Sequence, residues 1–224
     1  MGTHVFEKYP ENSKFGGKRV LNIGCGFAQF KAPNVVNVDA FGICKPDVVW
    51  DLSKTPLPFR DNEFDLILAN HILEHVPKWW DCFNDCARIL KPGGRLEVFV
   101  PGSGGDSTLG YRDHINTINR CSFFGTFGNY RNGSNAWAEE NSRSHSNRLK
   151  FHQHQTRTYT KWWIKYAPAA LRRWMCEHLR NIIVEDGYIF IKVSEKEFRE
   201  EELRNGKRDG NSALAMLSLR ETGL

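Results

Sequence analysis

The sequence lacks long apolar runs and paired cysteine motifs. No apolar stretch approaches the roughly 18 residues that a membrane-spanning helix needs. The first residues lack the basic-then-apolar pattern of a secretory signal. The six cysteines form no Cys-x-x-Cys pair and no zinc-ribbon spacing. We therefore expect no membrane partner, no bound metal and a location in the reducing cytoplasm.

Two further absences narrow the class of ligand and substrate. A glycine-rich turn, Gly24-Cys25-Gly26, follows an apolar run, but position 29 is Gln, so the Gly-x-Gly-x-x-Gly loop of dinucleotide-binding proteins is incomplete. No Asn/Asp-Pro-Pro-Tyr/Phe stretch follows the fourth apolar run, where many DNA amino-methyltransferases carry one. An adenosine-like ligand without phosphates fits this pattern better than a dinucleotide.

What is present is an alternation of apolar runs and turns over the first hundred residues. The pattern predicts strands at about 19–23, 35–39, 47–52, 64–70 and 95–100, and a helix over 71–90 that Pro77 interrupts. Near the end of the chain, Asp186-Gly187 lies between two β-rich runs, which is a hairpin signal. The alternation indicates an α/β fold with a parallel sheet that ends in two antiparallel strands.

Several polar residues follow the predicted strands and should meet at one edge of that sheet. Gly24 and Gly26 allow a close approach of the backbone to a ligand. Asp39 can accept both hydroxyls of a ribose. Asp51 and Leu52 could bind an adenine, and Asn70-His71 ends the fourth strand beside the same crevice. The interpretation is an adenosine site at the carboxyl ends of the strands.

The ordered motifs resemble class I S-adenosylmethionine-dependent methyltransferases, and most closely the methyltransferase type 11 group. The motifs are 21–26 (LNIGCG), 36–39 (VNVD), 47–52 (DVVWDL), 64–67 (FDLI), 71–76 (HILEHV) and 88–94 (RILKPGG). The resemblance implies a Rossmann-like seven-stranded sheet, with five parallel strands and a C-terminal antiparallel hairpin, flanked by helices. It implies S-adenosylmethionine as the cofactor. It assigns cofactor binding to Asn22, Gly24, Cys25, Gly26, Asp39, Ala40, Asp51, Leu52, Asn70 and His71. Many members carry Asp or Glu where this chain has Asn22.

Two histidines are the candidate catalytic residues. His114 follows the fifth strand in a stretch that loosely resembles the acceptor region of the family. His75 is a candidate base or a wall of the acceptor pocket, with a packing role as the alternative. The pair His152 and His154 has no third ligand in view and is interpreted as a non-metal pair.

Residues 102–180 are basic and aromatic, with 12 lysines and arginines, 5 acidic residues and 12 aromatic residues. The segment is predicted as an inserted lid in a single domain over 1–224, with a charged tail from about 194. Its aromatic residues could form the core of the lid; Trp162, Tyr166 and Trp174 fall at helical spacing. Alternatively, they could stack on a planar or anionic acceptor.

The sequence predicts methyl transfer to an oxygen or nitrogen of a small molecule or sugar. Two alternatives stay open, an RNA or DNA methyltransferase that uses the basic segment, and a non-catalytic S-adenosylmethionine-binding interaction protein. The oligomeric state is not predicted.

Overall fold

The computed structural model describes residues 9, 15–102, 104–123, 126–127, 147–159 and 161–200. The chain divides into two compact units, Met1–Lys192 and Val193–Leu224. In the second unit the described residues include a helix at 195–200, where Arg199 pairs with Glu195 one turn earlier.

One mixed sheet forms the first unit, in the order β3-β2-β1-β4-β5-β8-β7-β6. The strands are β1 Val20–Ile23, β2 Val35–Asp39, β3 Val48–Val49, β4 Phe64–Asn70, β5 Leu90–Pro101, β6 Thr126–Phe127, β7 Asn147–Tyr159 and β8 Ile183–Lys192. The α-helices are α1 Trp79–Ile89, α2 Asp106–Leu109 and α3 Ala169–His178. Short 3-10 helices cover Phe15–Gly17, Gly42–Cys44, Leu73–His75, Arg120–Phe123 and Trp162–Tyr166.

The predicted parallel half of the sheet is confirmed. β3, β2, β1, β4 and β5 are parallel neighbours. The strand order reverses direction between β1 and β4, so their carboxyl ends open a crevice of the kind that binds ligands in open α/β sheets. As expected, the 71–90 stretch is interrupted: a 3-10 turn at Leu73–His75 precedes α1.

The predicted hairpin at Asp186-Gly187 is wrong. Both residues lie inside β8, buried, where they pair with Val100 and Phe99 of β5. On its other side β8 pairs antiparallel with β7, and neither residue has the positive φ that a tight Asp-Gly hairpin turn needs. The antiparallel character of the C-terminal strands is nevertheless right, and β6 adds a two-residue eighth strand beyond the expected seven.

β7 lies within the segment that was predicted as a lid, and it belongs to the sheet. Its sequence is mostly polar, as suits a strand that has only the short β6 beyond it. The expected long loop at 129–147 lies outside the described residues except for its last position, which begins β7. Whether the inserted segment at about 102–180 covers the acceptor stays a prediction.

The aromatic residues at helical spacing do not form a lid core. Trp162, Tyr166 and Trp174 are 75%, 70% and 50% exposed. The buried apolar side chains of this stretch are instead Ile164 and Met175. The helical spacing led to a wrong prediction of a lid core because α3 is only ten residues long and leaves the Trp174 side chain exposed to solvent.

The main core lies between the sheet and α1. Cys82, Phe83, Cys86, Ala87 and Ile89 form the buried face of this helix. Cys82 and Cys86 both lie on this buried face, and the hydrogen bond with Cys82, followed by burial, raises the pKa of the Cys86 thiol. Both side chains are therefore buried thiols packed in the core, in line with the structural interpretation.

A smaller cluster occupies the opposite face of the sheet. Phe30, 1% exposed, packs with residues of β1, β2, β4 and β5. Tyr9 and Phe15 cover it, with the Phe15 ring edge-on to Phe30 at 5.1 Å. No helix forms between β1 and β2 over residues 24–34, and Phe30 is the buried apolar side chain that this stretch contributes to the smaller cluster. Among the described residues, no helix is long and apolar enough to cross a bilayer.

Candidate functional site

The glycine-rich turn after β1 requires glycine at its first position. Gly24 has φ +64°, and a Cβ there would lie 2.2 Å from Cγ1 of Ile72. The close packing fixes the β1 turn against the chain that leaves β4. Gly26 also has a positive φ, +49°, but a Cβ there would meet no atom within 4 Å. Open space therefore borders Gly26, as a backbone cradle for a ligand requires.

Asp39 ends β2 and connects this turn to the next loop. Its Oδ2 accepts a hydrogen bond from the backbone N–H of Gly26 at 2.8 Å, and its Oδ1 accepts one from Phe41 N–H at 2.9 Å. The side chain is buried, with 7% exposed. Each carboxylate oxygen can accept a second hydrogen bond, so the capacity for ribose hydroxyls is retained. This residue fits the adenosine ligand that the sequence predicted.

Asn22 takes part in a polar network that the sequence did not reveal. Its amide donates to Ala28 O at 3.2 Å and to Asn37 Oδ1 at 3.1 Å. The Asn37 amide in turn donates to Phe30 O and to Asp47 Oδ2. The network secures the helix-free 24–34 loop under the glycine turn. No local motif marks Asn37 or Asp47, because their contacts join residues from different strands. The direct contact of Asn22 with a cofactor stays a prediction.

The remaining predicted cofactor residues have different environments. Burial, and then the charge of Asp39, raise the pKa of the Cys25 thiol to about 12, so this residue is an inert wall of the turn. Ala40 is exposed beside Asp39.

Asp51 is exposed and accepts hydrogen bonds from Oγ and the backbone N–H of Ser53, which lower the pKa of the Asp51 carboxyl. Leu52 is 4% exposed in the main core. Contacts of Asp51 and Leu52 with an adenine stay predictions.

At the end of β4, half-buried Asn70 precedes His71, which joins three elements. The His71 backbone N–H donates to Phe99 O of β5 at 2.9 Å, and its φ is +50°. Its Nε2 lies 2.5 Å from Glu185 Oε2 of β8, and its Nδ1 lies 3.3 Å from Glu74 Oε1. Burial lowers the pKa of His71, but the carboxylates of Glu185 and Glu74 outweigh burial and raise it to about 9. Sequence reasoning missed Glu185, which β8 brings to this edge.

The two predicted catalytic histidines, 39 positions apart in sequence, meet in the structure. Their ring centroids are 4.8 Å apart, edge to face. The 111–119 loop is fastened to the 3-10 turn by hydrogen bonds from the N–H groups of Ile115 and Asn116 to Glu74 O. The Asn116 amide also donates to Val76 O at 2.7 Å. The loop after β5 therefore docks directly on the residues that follow β4.

Glu74 completes this group, although the sequence suggested only a helix-start role for it. Its side chain is 1% exposed. Potential ligand atoms of Glu74, His75 and His114 lie within 4.8 Å of one another. Two basic imidazoles beside a buried carboxylate can bind a polar acceptor and assist the loss of its proton.

Comparisons with known proteins agree with this architecture. Residues 21–98 match the family model described as a methyltransferase domain. An uncharacterised protein of Methanocaldococcus jannaschii is 36% identical over 101 residues, which are 39% of this chain and 44% of that protein. The 27-O-demethylrifamycin SV methyltransferase of Amycolatopsis mediterranei is 30% identical over 114 residues, 40% of this chain and 42% of that enzyme. The chain thus spans less than half the length of these curated relatives.

A solved structure shares the fold across most of the chain. It is a SAM-dependent methyltransferase from Archaeoglobus fulgidus, with a TM-score of 0.55 at 14% sequence identity, covering 84% of this chain and 92% of that one. The strand order and the glycine turn are those of a Rossmann-like fold, and the match to a methyltransferase domain lies on residues 21–98. Residues 21–98 therefore resemble a domain of the class I S-adenosylmethionine-dependent methyltransferases, enzymes that use S-adenosylmethionine as cosubstrate.

Proposed function

We propose that the protein transfers a methyl group from S-adenosylmethionine to an oxygen or nitrogen of a small molecule or sugar. The observation that carries this proposal is the contact between the His75 and His114 rings. It provides two polar side chains for a methyl acceptor beside the sheet edge to which we assign the cofactor. The rifamycin methyltransferase relative, whose name describes a small-molecule substrate, supports the same class of acceptor.

The residues around the glycine turn are suited to the cofactor. Gly26 borders open space, and Asp39 presents a buried carboxylate with spare acceptor capacity. We assign the methionine part to the Gly24–Gly26 turn, the ribose to Asp39 and the adenine to Asp51 and Leu52. Asn22, Cys25 and Ala40 shape this pocket, and Asn70 and His71 form its β4 wall.

When bound, S-adenosylmethionine supplies a sulfonium methyl group, which forms its new bond with the acceptor lone pair as the carbon–sulfur bond breaks and leaves its electrons on sulfur. The protein must hold the acceptor in line and exclude water. The docked 111–119 loop performs the first task. His75 and His114 assist proton loss from the acceptor, and they are the catalytic residues that we assign.

A second candidate, methylation of RNA or DNA, is favoured by one observation. Trp162, Tyr166 and Trp174 are exposed in a segment that also exposes Lys161 and Lys165. Exposed aromatic rings with lysines can stack on bases and contact phosphates.

The free cysteines at positions 25, 44, 82, 86 and 176 support our proposal of a cytoplasmic location.

The first test is calorimetric titration with S-adenosylmethionine and S-adenosylhomocysteine. We expect micromolar binding, followed by acceptor-dependent formation of S-adenosylhomocysteine when sugars and metabolites are screened. His114→Ala should retain cofactor binding and lose turnover. Binding without turnover on any acceptor would favour the interaction-protein alternative.

The nucleic-acid candidate has its own readout. RNA or DNA binding that weakens steeply with added salt would favour it, because each phosphate contact releases counterions. Turnover on a small acceptor that is insensitive to salt would favour the first proposal.

A further inference from the structure

We propose that Glu74, His75 and His114 bind a divalent transition-metal ion at the acceptor side of the site. Within the part of the chain that the structure describes, these three residues bring one carboxylate and two imidazoles within 4.8 Å of one another. The sequence predicted no metal, because the three ligands come from two distant segments.

Glu74 is the strongest indication of a cation. Its side chain is 1% exposed, and neither carboxylate oxygen has a hydrogen-bond partner among the described residues. The contact with His71 Nδ1 at 3.3 Å is an ion pair that offsets part of the carboxylate's charge. Burying a carboxylate in this way is costly unless a charge or hydrogen bond compensates it. A carboxylate has about four lone-pair positions, so the ion pair leaves ample capacity for a metal.

His75 is held in the tautomer that a metal ligand needs. Its Nδ1 lies 2.8 Å from the backbone carbonyl oxygen of Asp113. A carbonyl only accepts, so Nδ1 carries a proton, and Nε2 is the ring nitrogen left to face a ligand. Histidine ligands commonly donate their second ring N–H to a backbone carbonyl in this way.

His114 contributes an imidazole whose orientation is fixed on two sides. Its ring stacks on Tyr111 at 5.0 Å and meets the His75 ring edge-on at 4.8 Å. Its Nδ1 is buried and has no hydrogen-bond partner among the described residues. Two of the three members of the cluster thus have buried polar atoms that a cation would satisfy.

The donor set selects the kind of ion. Imidazole nitrogens favour Zn²⁺, Fe²⁺, Co²⁺ or Ni²⁺ over Mg²⁺ and Ca²⁺, which prefer oxygen ligands. Ligands about 2.1 Å from a tetrahedral zinc lie about 3.4 Å apart, so the most widely separated ligand atoms must approach by up to about 1.4 Å through side-chain rotation. Three protein ligands leave at least one coordination position open, as in catalytic rather than structural sites.

The open coordination position would allow the ion to bind the methyl acceptor. This part of the inference rests on the proposed methyltransferase function. An acceptor hydroxyl oxygen would coordinate the ion there, which lowers the pKa of the hydroxyl, as zinc does for water. The hydroxyl proton passes to solvent water. His75 and His114 then assist proton loss as ligands, and acceptors with a coordinating oxygen become the preferred class.

The test is titration of chelator-treated protein with Zn²⁺ and Co²⁺, followed by calorimetry and by the visible absorption of Co²⁺. We expect one equivalent to bind, with a d–d spectrum typical of nitrogen and oxygen ligands. Glu74→Gln and His114→Ala should each weaken binding by about 10-fold or more. His152→Ala, which alters an exposed histidine on β7, is the matched control and should bind as the parent does.

Each outcome decides the proposal. No stoichiometric binding, or equal binding by the parent and His114→Ala, would overturn it. Loss of binding in His152→Ala with retention in His114→Ala would assign the ion to another place and overturn it as well. If Glu74→Gln fails to fold by circular dichroism, the half-buried His114 variant still decides. S-adenosylhomocysteine binding is measured in parallel: its absence would contradict the proposed function, whereas its presence without metal binding would contradict only the metal site.

Discussion

Gly26 donates its backbone N–H to Oδ2 of Asp39 at 2.8 Å, which connects the glycine turn after β1 to the end of β2. The same carboxylate also accepts from Phe41 N–H. One buried side chain therefore holds two loops at the place where we assign the ribose. Its removal should affect both the loops and the ligand.

Asp39→Ala should weaken S-adenosylhomocysteine binding by about 1–3 kcal/mol, the typical loss for a charge-assisted hydrogen bond. This corresponds to a rise in Kd of roughly 5-fold to 150-fold. Calorimetric titration measures it. Asp61→Ala, which removes an exposed carboxylate from a different ion pair with Arg88, is the matched control and should leave Kd unchanged. An unchanged Kd in Asp39→Ala would refute the ribose assignment.

Gly24→Ala should destabilise the fold by about 2 kcal/mol or more, because the new methyl group overlaps Ile72 and φ is positive. Thermal unfolding measures the loss. Gly104→Ala is the control, since a Cβ at Gly104 meets nothing within 4 Å. Adding Ile72→Ala to Gly24→Ala should recover part of the stability by removing the overlap. The loss of stability in the double variant should be smaller than the summed losses of the two single variants. A loss equal to that sum would contradict the packing explanation.

Asn22→Asp should destabilise the protein by about 1–3 kcal/mol, the cost of leaving a buried polar group without its partner. The substitution removes the amide donor that serves Ala28 O and Asn37 Oδ1, and it sets a carboxylate against an oxygen. Asn37 cannot easily turn its amide over, because its Nδ2 donates to Phe30 O and Asp47. Urea unfolding measures the effect. Equal stability of the variant and the parent would show that the network contributes little.

Lys91→Met should lower stability at pH 7 by less than about 1 kcal/mol, since the pair it breaks is partly exposed. Lys91 Nζ donates to both oxygens of Asp65, at 2.9 and 2.8 Å. Burial raises the pKa of Asp65, but the hydrogen bonds from Lys91 and from Arg19 N–H outweigh burial and lower the pKa below its ordinary value of 3.8.

The pH dependence of this effect has a definite sign. A lowered carboxyl pKa contributes stability above the unfolded-state value and loses it as the pH falls through the folded-state value. The difference between Lys91→Met and the parent should therefore shrink below about pH 4. Urea unfolding at pH 7 and pH 3 measures it. A difference that grows on acidification would contradict the assigned ion pair.

The parallel half of the fold could be predicted because each of its strands can be recognised from a short stretch of sequence. A buried parallel strand is covered on both faces and shows as a short continuous apolar run, as in Phe64–Asn70. The antiparallel half could not be predicted in the same way. β7 is largely polar, and the turn-like pair Asp186-Gly187 lies in the middle of a strand that two neighbours bury.

The features of the candidate site also fall into those that local sequence reveals and those that it does not. The sequence by itself determined the glycine turn, the carboxylate that ends β2 and the pair of histidines, since each follows a strand or a motif in chain order. Only the tertiary structure decided that Asn37 and Asp47 support Asn22, that Glu185 faces His71, and that Glu74 joins His75 and His114. These contacts link segments from 10 to 114 residues apart, and no local preference of the backbone encodes them. They form because the mixed sheet brings the strand ends to one edge, where burial favours partners for polar groups.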